Sequence, residues 1–208
     1  MTEPVDPVLE RAIKSLSAPG ILIGHRLISP GDELALLAEE AHSMASPLIG
    51  VRRASGAARI VGRALLARLG YAACAVPRSP SGAPLWPAGV TGSFAHDERV
   101  AVAAVALCRD VAAVGIDVEP AEMLPPDLLD LVATPQERRR LGDDPYRGRL
   151  LFAAKEAVYK SIYPLDRLFL EYHDVEVDLA DRKAVVRNGR VVELRYCLST
   201  HLVVLARI

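Results

Sequence analysis

Lysine is scarce in this chain. Of 25 basic residues among 208, only four are lysines, at Lys14, Lys155, Lys160 and Lys183. Cysteine is nearly as rare: Cys74, Cys108 and Cys197 are odd in number and show no CxxC spacing. That argues against a disulfide framework or a zinc site and fits a reducing cytoplasm. Long apolar runs are missing too. Val100 to Cys108 is the most apolar stretch, and Arg109 and Asp110 end it well short of a bilayer span. The N-terminus carries acids where a secretory signal needs basic residues and an apolar core, so a cytoplasmic location is expected. Nor is there an excess of charge. A net charge of −1 opposes a general nucleic-acid or lipid-binding surface. Half the residues are hydrophobic and a quarter charged, which excludes wholesale disorder.

One absence is local. Residues 41–96 hold no Asp or Glu but six arginines: Arg52, Arg53, Arg59, Arg63, Arg68 and Arg78. A nearly neutral chain with its positive charge gathered this way points to an anion site.

Proline and glycine punctuate the rest. Ser29-Pro30 opens an amphipathic run toward Ser43, and Ser46-Pro47 a longer helix closed by Gly70. Thr134-Pro135-Gln136-Glu137 reads as a capping box before a short helix ended by Gly142. Asp144-Pro145 precedes a helix through Tyr163, which Pro164 should stop. Strands are expected over 100–107, 111–119, 172–179, 183–187, 190–198 and 201–206, with a hairpin at Asn188-Gly189. Residues 77–92 read as an ordered loop around Trp86. The order of elements predicts an α+β fold of two associated halves, 1–112 and 113–208.

Three groups of residues carry chemistry. Asp117 and Glu119 end the apolar run VAAVGIDVEP. In a strand they share a face, about 6.5–7 Å apart. Two hard oxygen donors at that spacing suit Mg²⁺ with its retained waters, although a strand tip running into solvent would look the same. In FAAKEAVYK, helical spacing puts Phe152, Glu156, Tyr159 and Tyr163 on one stripe, with Lys155 and Lys160 to either side. Glu156 could be a third ligand or a base, or simply half of an i,i+4 pair with Lys160. Arg52, Arg59 and Arg63 fall within about 40° of one another on their helix. Gly56 on that stripe would let a ligand approach. His96 closes the acid-free segment; His25, His42, His173 and His201 read as structural.

Taken in order, WPAGVTGSFAH, VGIDVEP and FAAKEAVYK resemble the motifs of Sfp/EntD-type 4′-phosphopantetheinyl transferases, with the loop closer to the EntD-like branch. The resemblance implies two similar, pseudo-symmetric α+β halves with the active site in the cleft between them. It also implies Mg²⁺-dependent transfer of phosphopantetheine from coenzyme A to a serine of an apo acyl or peptidyl carrier protein, with Mn²⁺ a substitute metal. Matched by motif, Asp117, Glu119 and Glu156 would hold the metal, and Glu156 would also be the base. Lys155 and Lys160 would neutralise the pyrophosphate. His96, Ser93, Arg52, Arg53, Arg59 and Arg78 would contact coenzyme A, Arg78 standing where the family has a lysine. Three departures are Phe152 for a tryptophan, Ala95 for a serine, and Asp97 after the histidine, where an acid would weaken anion affinity. A monomer with no nucleic-acid partner and no membrane insertion is expected. The competing readings are a non-catalytic coenzyme A or carrier-binding module and a Mg²⁺-dependent nuclease.

Overall fold

A computed structural model describes residues 4–208. Helix α1 (Pro7–Lys14) begins at Asp6, whose side chain accepts from the Val8 and Leu9 amides. Strand β1 (Ile21–Leu27), a 3₁₀ turn (Asp32–Ala35), α2 (Ala38–Ser43) and the long α3 (Ile49–Arg68) follow. The first sheet is completed by the antiparallel strands β2 (Val90–His96) and β3 (Val100–Leu107), in the order β1-β3-β2. Then come β4 (Val114–Pro120), α4 (Pro126–Val132), α5 (Pro135–Leu141) and α6 (Arg147–Asp166). Strands β5 (Val175–Asp178), β6 (Lys183–Val186), β7 (Val191–Leu198) and β8 (His201–Arg207) give a second antiparallel sheet, ordered β4-β8-β7-β6-β5. The two sheets draw on residues 21–107 and 114–207, so the α+β architecture expected from sequence is present.

Alternation along the strands assembles four layers. Val100, Val102, Ala104 and Ala106 of β3 pack with Val114, Ile116 and Val118 of β4 and Val203 and Leu205 of β8, forming a core shared by both sheets. The opposite face of β3, Ala103 and Val105, meets Val61, Leu65 and Leu66 of α3. In the second sheet, Leu202, Val204 and Leu194 meet Ala154, Val158 and Ile162 of α6. The order is therefore α3, first sheet, second sheet, α6. With the apolar residues of β4 turned to the shared core, Gly115, Asp117 and Glu119 face α6.

Several expectations needed amendment. The run after Pro30 is not one helix: Gly31, at φ +97°, and the extended Leu36 and Leu37 divide it into the 3₁₀ turn and α2. Pro164 lies inside the last turn of α6 rather than ending it, and Arg167, at φ +52°, is the cap. Strand β4 starts at Val114, and Tyr172–Asp174 is a 3₁₀ turn ahead of β5. His96 ends a strand rather than a loop. The expected hairpin is present, with Gly189 at φ +86° between β6 and β7. All three cysteines are free. No helix among the described residues is long and apolar enough to cross a membrane.

Candidate active site

A cleft of about 680 Å³ runs between the two halves. Its first wall carries Arg59 from α3, Arg78 and Trp86 from the following loop, and Ser93 and His96 from β2. Facing them are Glu156, Tyr159, Lys160 and Tyr163 of α6. The loop is seated by small residues. A Cβ on Gly92 would lie 2.6 Å from the Trp86 ring, and Trp86 packs on Phe94 at 4.7 Å between ring centroids.

Arg59 is buried, with its guanidinium 4.8 Å from the Phe94 ring centroid. Its Nε donates to the Val76 carbonyl (3.2 Å), and burial lowers its pKa to about 10. Among the described residues it has no carboxylate partner. His96 stands at the exposed lip of the cleft. Its pKa is lowered by the surrounding protein and by the charges of Lys160 and Arg59. Removal from water is the larger cause, and the two cations add to it.

The acid-free segment is less positive in space than in sequence. Arg53 pairs with Glu33 (2.9 Å) and Arg63 with Glu40 (2.6 Å), acids supplied from upstream. Arg52 donates to the Ser46 carbonyl. Of the arginines read as coenzyme A contacts, Arg59 and Arg78 reach the cleft, whereas Arg52 and Arg53 do not line it. Gly56 also serves packing rather than ligand approach: a Cβ there would sit 1.9 Å from the Asp32 carbonyl oxygen, so the glycine admits the 3₁₀ turn.

On the opposite wall, Gly115 fixes the geometry. A Cβ at this position would lie 1.9 Å from the Ala157 carbonyl oxygen, so α6 can rest directly on β4 only because the side chain is missing. The contact brings Lys160 Nζ to 2.6 Å from Asp117 Oδ1. Asp117 is buried, and its Oδ2 has no hydrogen-bond partner among the described residues. Burial, reinforced by the charges of Glu119 and Glu156, pushes its pKa up to about 6, against the pull of Lys160. Glu119 accepts from Arg149 Nη1 (3.0 Å), yet burial still raises its pKa. Glu156 Oε1 accepts from the Tyr172 hydroxyl (3.1 Å), whose pKa rises through burial and the nearby carboxylates.

Among the described residues no three His, Cys, Asp or Glu side chains converge as a ready metal cluster. Asp117 faces Lys160, Glu119 faces Arg149 and Glu156 faces Tyr172. The set nevertheless suits a hard divalent cation. It combines an orphaned buried carboxylate oxygen with three acids close enough to repel one another, which a cation between them would relieve.

Lys155 departs most from expectation. It is 2 % exposed, and its ammonium donates to Glu137 Oε2 (2.7 Å), the Val132 carbonyl (2.9 Å) and the Tyr172 carbonyl (2.8 Å). All three ammonium protons are engaged, leaving no donor for a phosphate. Glu137 in turn accepts from the Thr134 and Val177 amides, so Lys155 and Glu137 together bolt α5, α6 and β5 to one another. The carboxylate partner Glu137 was legible only as half of a capping box.

Asp97 does not intrude on the anion site. Its Oδ1 accepts from the Arg99 and Val100 amides (both 2.7 Å), and its Oδ2 pairs with His201 Nε2 (3.0 Å). Tyr172 and Arg149 are site residues that sequence reasoning missed, because neither falls within a motif.

The cleft thus sets an arginine and histidine wall opposite the half-buried Glu156 and Lys160. Residues 39–106 match the family model of the 4′-phosphopantetheinyl transferase N-terminal domain. Residues 113–203 match that of the 4′-phosphopantetheinyl transferase superfamily. The chain is 36% identical to the 4′-phosphopantetheinyl transferase Npt of Nocardia iowensis over 182 residues, covering 85% of this chain and 82% of that protein. It is 38% identical to Svp of Streptomyces mobaraensis over 72% of this chain and 63% of that protein. To PptT of Mycobacterium tuberculosis it is 34% identical, over 73% and 68%. The chain belongs to the 4′-phosphopantetheinyl transferase superfamily.

Proposed function

We propose that this protein transfers the 4′-phosphopantetheine group of coenzyme A to a serine hydroxyl of an apo acyl or peptidyl carrier protein. The products are the holo carrier and adenosine 3′,5′-bisphosphate. The observation that carries this reading is the cleft, in which two arginines without a carboxylate partner among the described residues, and a histidine, face Lys160 and Glu156 across one open space.

In this reading Arg59, Arg78 and His96 receive the 3′-phosphate, with Ser93 on the same wall. The planar guanidiniums suit the phosphate oxygens, and burial of Arg59 strengthens the contact. Lys160 would neutralise the charge that gathers on the pyrophosphate as its bond breaks. Asp117, Glu119 and Glu156 would hold Mg²⁺, or Mn²⁺ in its place, and the metal when bound would neutralise that charge. Glu156, oriented by the Tyr172 hydroxyl, takes the proton from the carrier serine as its oxygen attacks the phosphorus nearest the pantetheine. A second cavity of about 520 Å³ shares Glu156 and Tyr159 with the first and adds Leu131, Leu170 and Val175. Its mixed lining, with Tyr172, Glu171 and His173 beside those apolar side chains, suits the uncharged, amide-bearing arm that leaves with the phosphate. Met123 and Leu131 are exposed around α4 and offer the carrier an apolar landing beside Glu156. Residues 1–112 would then serve chiefly to bind the nucleotide and 113–208 to perform the transfer, within a monomer acting in the cytoplasm.

Intact mass spectrometry of an apo carrier protein with coenzyme A and Mg²⁺ tests the reading. The expected result is a gain of one phosphopantetheine that EDTA abolishes. Coenzyme A binding without a mass gain on acyl or peptidyl carriers would leave a binding module instead.

A further inference from the structure

Asp97 and His201 belong to different halves, and neither touches the cleft, yet they meet as a nearly buried pair at 3.0 Å. His201 is 1 % exposed. It begins β8 on the side that Val203 and Leu205 turn toward the shared core. Across the strand pair it stands opposite Pro120, and the next partners along are Leu202 and Glu119. Asp97 directly follows His96 and caps the turn between β2 and β3 through the Arg99 and Val100 amides. Burial alone would raise its pKa, but hydrogen bonds from His201 and those two amides hold it below the usual value. On the far side, His201 Nδ1 lies 3.1 Å from Thr200 Oγ1, which donates to Asp6 Oδ2 (2.9 Å) at the start of α1. A line of polar contacts thus joins the turn beside His96 to the strand paired with β4 and on to α1.

We propose that the Asp97–His201 pair is a latch that sets the position of His96 relative to the β4 carboxylates, making both positioning residues for recognition of the 3′-phosphate. The proposal rests on the reading of His96 given above. A strand end is free to move unless something beyond it is tied down. Here the residue next to His96 is tied, by a charge-assisted bond, to the strand neighbouring Asp117 and Glu119. The same bond turns the Asp97 carboxylate away from the anion, so one interaction both places His96 and removes a repulsive charge.

The readout is the preference for coenzyme A over dephospho-coenzyme A, as a ratio of kcat/KM. His96→Ala should lower that preference about tenfold, the worth of one charge-assisted bond. His201→Leu should lower it about as much, through KM for coenzyme A with kcat little changed, and should add nothing further in a His96→Ala background. His201→Gln, which keeps a donor near Nε2, should retain the preference. Should His201→Leu fold poorly because Asp97 is left buried without its partner, Asp97→Asn/His201→Leu removes the charge and the latch together and should show the same loss. If His96→Ala lowers the preference while neither His201→Leu nor the double variant does, the pair is structural only and the proposal is overturned. If His96→Ala itself leaves the preference intact, the reading of His96 fails and takes the latch with it.

Discussion

The two halves solve one packing problem in the same way and then diverge at the cleft. In each, a short helix precedes a long one, and a buried glutamate three residues into the short helix clamps the pair. Glu40 in the first half accepts from the Leu37 and Val76 amides and pairs with Arg63 of α3. Glu137 in the second accepts from the Thr134 and Val177 amides and pairs with Lys155 of α6. In the second half the clamp uses a lysine on the long helix that the motif alone would assign to catalysis. What differs is the residue presented to the cleft: Arg59 on α3, against Glu156 and Lys160 on α6. The shared framework supplies rigidity, and a few helix positions divide binding from chemistry.

The comparison can be broken most sharply at Glu156. Glu156→Ala should reduce kcat by a factor of about 10²–10⁴ without unfolding the protein, as loss of a general base does. A near-wild-type rate would remove Glu156 from the chemistry. Each clamp comes next. Glu137→Ala leaves the Lys155 ammonium buried and uncompensated, which should cost about 3–5 kcal/mol in denaturant unfolding. Glu40→Ala should destabilise too, and it should also raise KM for coenzyme A, because the Val76 segment that Glu40 holds supplies the Arg59 acceptor. Equal KM values in the two variants would sever that connection.

Lysine exchange sharpens the same contrast. Lys160→Met should lower kcat with a small change in unfolding midpoint. Lys155→Met should lower stability with kcat for the folded fraction close to normal. The reverse pattern would return Lys155 to the active site. The smallest effect concerns pH. Because the folded-state pKa of Asp117 is raised to about 6, the native chain holds a proton there that the unfolded chain has released. Stability should therefore fall as pH rises from about 4 to 6. In EDTA, Asp117→Asn should flatten that decline and be the more stable protein at pH 8. An unchanged slope would mean that Lys160 fully compensates the buried charge.

How far the sequence could be read follows from the kind of signal each element carries. Val100–Leu107 was legible to the residue, since only a strand buried on both faces is so uniformly apolar. The α5 start was legible from Thr134 and Glu137, because a capping box is a local hydrogen-bond pattern. Strands β1 and β2 were not, as Gly24 and Gly92 interrupt their pattern, for helix contact in one case and for the Trp86 ring in the other. Asp117, Glu156 and Lys160 were named from motifs and Arg59 from the arginine stripe on its helix, and all lie at or just behind the cleft walls. Lys155, Arg53 and Arg63 show the limit. Their partners, Glu137, Glu33 and Glu40, lie 18–23 residues away, and spacing along one helix cannot say which cation a distant acid has claimed.

The core shared by the two sheets has a consequence for the chain's connectivity. Val100–Ala106 and Val203–Leu205 bury each other, while the Ala112 amide donates to the Ile208 carbonyl, so the link between halves closes against the residue that follows β8. Cut within 108–110, the polypeptide would yield two fragments, each exposing an apolar face made for the other. They should recombine as subunits do, with activity rising with the product of their concentrations. The peptide bonds at that crossing act as a tether that fixes the stoichiometry of a dimer already written into one chain.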